Sequence, residues 1–164
     1  DPNRTVNLPF LGGPRPFTRS FSSFHFPACE SCNNDFSALE ASAKSVILRL
    51  LDQEELSCDD WDVILDWLDK IRTGLWLGAV YLGGNKIFSV EPQFHIAKRV
   101  KSKDRMVVIY RTDCQQSGIG FVGVNTPVFL HSPSCFSLIV NSFAFFSVST
   151  DFLWGWNLKQ PRVV

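Results

Sequence analysis

Neither sign of charge predominates in this sequence. Sixteen Lys and Arg balance sixteen Asp and Glu, so no overall field draws the chain toward nucleic acid. Long apolar runs are missing as well. The two richest, GLWLGAVYLGG and CFSLIVNSFAFFSV, are too short to span a bilayer as helices. Five cysteines at irregular spacing do not make the framework of a small secreted disulfide scaffold. No secretory leader pattern, internal repeat or low-complexity tract is visible. Familiar catalytic signatures are absent too: there is no Ser-His-Asp order and no Gly-x-Ser-x-Gly, and YLGGNK lacks the pattern of a phosphate loop. These absences lead to the expectation of a soluble, cytoplasmic protein with no membrane partner.

What is present is a core. Apolar residues make up 45% of the 164 positions and aromatics 13%, with fifteen Phe and five Trp, which excludes a disordered chain. The length suits one domain, or one domain with a small appendage. Charge is unevenly divided along it. Eight carboxylates and no cation lie from Asp52 to Asp69, whereas KRVKSKDR, from Lys98 to Arg105, sets five cations against Asp104. Such blocks create local potentials even in a neutral chain. The plain alternative is a solvated helix face and a charged hairpin tip.

Coarse patterning runs from helix to strand. Residues 1–20 hold four of the nine prolines together with Gly12 and Gly13, and read as an extended, turn-rich arm. SFSSFHF follows as a short strand ending at Pro27. The run DFSALEASAKSVILRLL predicts a helix starting near Asp35 or Ser37, with Phe36, Leu39, Ala43, Val46, Ile47, Leu50 and Leu51 as its buried stripe. A second helix is signalled by Ser57 three residues before Asp60 and by an acidic first turn. Trp61, Ile64, Leu65, Leu68, Ile71, Leu75 and Trp76 continue it, and Gly83-Gly84-Asn85 stops it. The two helices are expected to pack as an antiparallel pair across DQEEL. QFHIAKRV and RMVVIYRT then flank KSKD as a charged β-hairpin, and IGFVGVNTPVFLH and CFSLIVNSFAFFSV read as two further strands. The expected class is α+β: a short arm, a two-helix hairpin, then a mainly antiparallel β-rich region. The expected divisions are 1–52, 53–84 and 85–164.

The densest chemistry is in FHFPACESCNNDF, residues 24–36, with its Cys29-x-x-Cys32 pair. Two thiolates at this spacing can share a structural zinc, which needs four ligands, so two more are required. Cys58, Cys114 and Cys135 stand alone, and His25, His95 and His131 lack ligand spacing. A Cys-x-x-Cys entering a helix can also act as a redox pair, through a lowered thiol pKa. The third possibility is two unreactive buried cysteines.

PACESCNNDFSALE, a Cys-x-x-Cys-Asn leading into a helix, resembles the second half of a zinc-knuckle HNH endonuclease domain, and Leu11-Gly12-Gly13 resembles that family's Gly-rich turn. The resemblance covers residues 7–45. It implies metal-dependent phosphodiester hydrolysis of nucleic acid. By position it implies Cys29 and Cys32 as structural Zn²⁺ ligands, Asn33 or Asn34 as a ligand of a catalytic Mg²⁺ or Mn²⁺, and His25 as the weak catalytic candidate. The family's Asp/Glu-His-x-x-Pro segment and its first cysteine pair do not occur here. The chain opens on Asp1 rather than Met, and the expectation is that it is a fragment whose other half-site lies upstream. Alone it would lack the general base and be inactive. Arg15, Arg19, Lys98, Arg99, Lys101, Lys103 and Arg105 are the candidate contacts to a nucleic-acid backbone. A non-catalytic zinc-knuckle module that binds nucleic acid or a protein is the alternative function. Trp61, Trp67 and Trp76 read as core or interface, and an exposed Trp154-Gly-Trp156 pair would mark a partner surface.

Overall fold

In the computed structural model the described residues are 5–8, 17–20, 30–82, 105–113, 118–123, 129 and 135–149. The chain divides into two units, Asp1–Lys101 and Ser102–Val164. Helices come first and an antiparallel sheet afterwards, so the class is α+β.

In the first unit, β1 (Thr5–Leu8) pairs antiparallel with β2 (Phe17–Ser20), giving the proline-rich arm a short ladder. α1 spans Glu30–Leu51 and α2 spans Cys58–Leu82. α1 therefore begins earlier than the expected Asp35 or Ser37. The Ser37 hydroxyl donates to the Asn33 carbonyl at 3.1 Å, back along the helix, so it does not cap a helix start. Glu30 instead places a carboxylate in the first turn, where the dipole favours it.

The end of α1 is a Schellman motif. The Glu54 amide donates to the Arg49 carbonyl at 3.0 Å and the Gln53 amide to that of Leu50 at 3.1 Å, with Gln53 in the left-handed region at φ 63°. Four residues on, α2 is capped reciprocally. The Asp60 amide donates to Ser57 Oγ at 3.2 Å, and Asp60 Oδ2 accepts from the Ser57 amide at 2.8 Å and the Ser57 hydroxyl at 2.9 Å.

Two ion pairs cross between the helices: Arg49 with Asp60, at 2.9 Å, and Glu40 with Lys70. Moving from Arg49 back to Glu40 on α1 moves from Asp60 forward to Lys70 on α2, as an antiparallel pair requires. Between them the apolar stripes meet as the spacing predicts. Ala43, Val46 and Ile47 are buried on α1, and Ile64, Leu68, Trp76 and Leu77 on α2. Trp61 and Trp67 are half-buried. Fully burying a Val, Leu or Ile side chain contributes roughly 1.5–3 kcal/mol, more than a partly exposed ion pair ordinarily does.

In the second unit four strands form one sheet in the order β3-β6-β5-β4: β3 (Arg105–Arg111), β4 (Ile119–Val122), β5 (Cys135–Val140) and β6 (Phe143–Ser149). All neighbours run antiparallel. CFSLIVNSFAFFSV, expected as one strand, is a hairpin, because Asn141 and Ser142 fold β6 back onto β5 with Val140 opposite Phe143. Asn141 takes φ 51°, a conformation Asn tolerates better than most residues. A fourteen-residue strand would also exceed the usual span of about 3–10 residues.

Successive side chains alternate between faces. Register therefore puts Phe136, Leu138, Phe145 and Ser147 on one face, all buried, with Phe129 packed 6.3 Å from Phe136 between ring centroids. This is the core side of the sheet.

Candidate interaction surface

The other face is built from the remaining positions of the same strands. β3 contributes Met106, Val108 and Tyr110, and β6 contributes Ala144, Phe146 and Val148. β5 contributes Cys135, Ser137 and Ile139, and β4 contributes Gly120 and Val122. Met106 is 41% exposed, Tyr110 56%, Val122 57% and Phe146 42%. None of these eleven positions carries a charge. Tyr110 and Phe146 meet edge to face with centroids 5.4 Å apart, which fixes both rings on the surface. The small residues Ser137 and Ala144 lie buried between these larger neighbours. Ser137 Oγ has no hydrogen-bond partner among the described residues.

An antiparallel sheet in water normally alternates apolar inside with polar outside. Here the face turned away from the core is apolar as well, with Met106, Tyr110, Phe146 and Val122 exposed on it, where polar side chains would be expected. In the sequence, RMVVIY and FAFFSV are apolar at both alternating positions, so neither face is marked as the solvent face. A surface without cations suits neither phosphate nor a nucleic-acid backbone.

The residues expected from sequence to form a site are placed differently. Cys32, Asn33 and Asn34 lie in the first turns of α1, with Asn33 and Asn34 exposed. His25, Cys29, Arg15, Lys98, Arg99, Lys101 and Lys103 lie outside the described residues. So do the Gly12-Gly13 turn, the SFSSFHF strand beyond Ser20, His95, His131, Cys114, Trp154, Trp156 and the first strand of the charged hairpin. Arg19 falls in β2 opposite Val6, and Arg105 opens β3 opposite Ser149. Among the described residues no three His, Cys, Asp or Glu side chains come together as metal ligands, and Cys58 is a free, exposed thiol. Of the two knuckle cysteines, only Cys32 falls among the described residues, in the first turn of α1.

The acidic block from Asp52 to Asp69 is not one solvated face. Asp52, Glu54, Glu55, Asp59 and Asp62 are exposed, but Asp69 is fully buried and bound by Arg72 at 2.9 Å. Arg72 Nε has no partner among the described residues. Asp60 is held below the usual carboxylate range, chiefly by the Ser57 amide, then by the Ser57 hydroxyl and the Arg49 guanidinium.

No helix among the described residues is long and apolar enough to cross a membrane. Comparison with protein-family models, with curated proteins and with solved structures finds no match to this chain.

Proposed function

We propose that this chain is a non-catalytic interaction module whose working surface is the uncharged outer face of the β3-β6-β5-β4 sheet, contacting protein. The observation that carries this reading is the exposure of Met106, Tyr110, Val122 and Phe146 on strands whose opposite face buries Phe136, Leu138 and Phe145. Burying such residues releases roughly 25 cal/mol per Å² of apolar surface, and an uncharged face incurs no desolvation cost for ions. We place the module in the cytoplasm, where an exposed unpaired thiol such as Cys58 persists.

The test is a Tyr110→Lys, Phe146→Lys variant. Both side chains are exposed, so circular dichroism should report an unchanged fold while protein association is lost. Phosphodiester cleavage by the wild-type chain with Mg²⁺ or Mn²⁺ would overturn the reading.

A second reading is favoured by the position of Cys32, Asn33 and Asn34 at the start of α1. That is where an HNH-like knuckle enters its metal-binding helix. On this reading Cys29 and Cys32 supply two ligands to Zn²⁺, and a longer chain supplies the other two together with the general base for nucleic-acid hydrolysis. Zinc bound in a fixed ratio by an upstream-extended chain, and lost in Cys29→Ser, would support it. No zinc above background in that longer chain would remove it.

A further inference from the structure

The outer sheet face has an internal pattern that narrows the kind of protein it can accept. Register aligns its side chains in rows across the four strands. One row reads Tyr110, Ala144, Ile139, Gly120 from β3 to β4, and the next reads Val108, Phe146, Ser137, Val122. In each row the bulkiest aromatic lies on the β3-β6 half, and the smallest side chain on the β5-β4 half.

A two-fold axis parallel to the strands, midway between β6 and β5, reverses each row onto itself. Tyr110 then stands over Gly120 of the other copy, Ile139 over Ala144, Phe146 over Ser137 and Val108 over Val122. Large meets small at each mismatched pair, which is what close packing of two sheets about 10 Å apart demands. A two-fold interface must be complementary to itself. A face with no charge meets no like charge when doubled, and aligned packing of two sheets is a standard sandwich geometry.

From this pattern we infer that the partner is a second copy of this chain, packed face to face about that axis. The inference rests on the interaction-module reading and names its occupant. Four strands about 4.8 Å apart and roughly six residues long present on the order of 400 Å² per copy. A pair therefore buries about 800 Å², the range of weak, reversible association.

Gly120 supplies the discriminating variant. A Cβ added there would meet only Ile139 Cβ, at 3.8 Å, an ordinary contact, so the monomer has room for the Cβ of Gly120→Val, and an unchanged melting temperature of that variant checks the rest of the side chain. Valine also favours the strand. In the dimer the same side chain would collide with Tyr110 of the other copy.

Sedimentation of the full 164-residue chain from about 1 to 200 µM reads the outcome. A concentration-dependent dimer is expected, with Gly120→Val raising the dissociation constant at least about 30-fold through overpacking. Adding Tyr110→Ala to Gly120→Val should restore most of the association. A wild-type monomer throughout, with Met106 readily oxidised by peroxide, would overturn the second copy and leave the interaction reading standing for a different protein. A monomer whose Met106 resists oxidation would overturn both, because the chain would cover the face itself. Dimerisation unaffected by Gly120→Val, or binding to neutral phosphatidylcholine vesicles without dimerisation, would likewise overturn the second copy.

Discussion

The Gly118 amide donates to Asn141 Oδ1 at 2.7 Å, and the Asn141 amide donates in return to the Gly118 carbonyl at 2.9 Å. On the other side of the same turn the Thr112 amide donates to the Ser142 carbonyl at 2.7 Å, and the Thr112 hydroxyl to the same oxygen at 3.2 Å. The two-residue turn between β5 and β6 is thus clamped to the start of β4 and the end of β3, locking the four strands at one end.

Asn141→Ala should lower stability by about 2 kcal/mol, from a lost side-chain hydrogen bond and from a left-handed conformation that alanine disfavours. Asn141→Gly relieves the second effect and should cost only about 1 kcal/mol. Urea midpoints would separate the two. Equal losses would mean that backbone conformation contributes nothing.

At Gln53 the opposite substitution is favourable. A non-glycine residue at φ 63° carries a strain of roughly 1 kcal/mol, and glycine removes it at the cost of a more flexible unfolded chain. Gln53→Gly should raise stability by about 0.5 kcal/mol and leave the helix content unchanged. A lower melting temperature would contradict the Schellman geometry.

The cap of α2 makes stability depend on acid. The Asp60 carboxyl is held below its ordinary value, first by the Ser57 amide, then by the Ser57 hydroxyl and Arg49, so the folded state favours the ionised form. A carboxylate lowered by folding contributes stability above its unfolded pKa, about 3.9 for Asp, and loses it as pH falls through the lower folded value. The melting-temperature difference between wild type and Asp60→Asn should therefore be constant near neutrality and shrink below about pH 4. A difference independent of pH down to 2 would show that the charge is irrelevant.

Asp69 and Arg72 form a pair with almost no solvent on either side chain. Arg72→Met removes that partner from a buried carboxylate and should cost about 3 kcal/mol, whereas Asp69→Leu with Arg72→Met should recover most of the loss. A double-mutant cycle on urea midpoints measures the coupling. Additive losses would show that the two residues act separately.

By itself the sequence determined the elements whose signals are local. Ser57 and Asp60 announce the start of α2, helical spacing selects its buried stripe, and alternating apolar runs announce strands in RMVVIYR and CFSLIV. It did not determine where α1 begins, because Ser31, Asn33 and Asn34 suit a first turn as well as a loop. Nor did it determine that Asn141 turns the chain. Only tertiary structure decided which sheet face is core, since Val108 and Phe146 are as apolar as Ile109 and Phe145, and hydrophobicity carries no direction. Register and cross-strand neighbours supply that direction, and they set Tyr110 and Gly120 at opposite ends of one row although ten positions separate them in the chain.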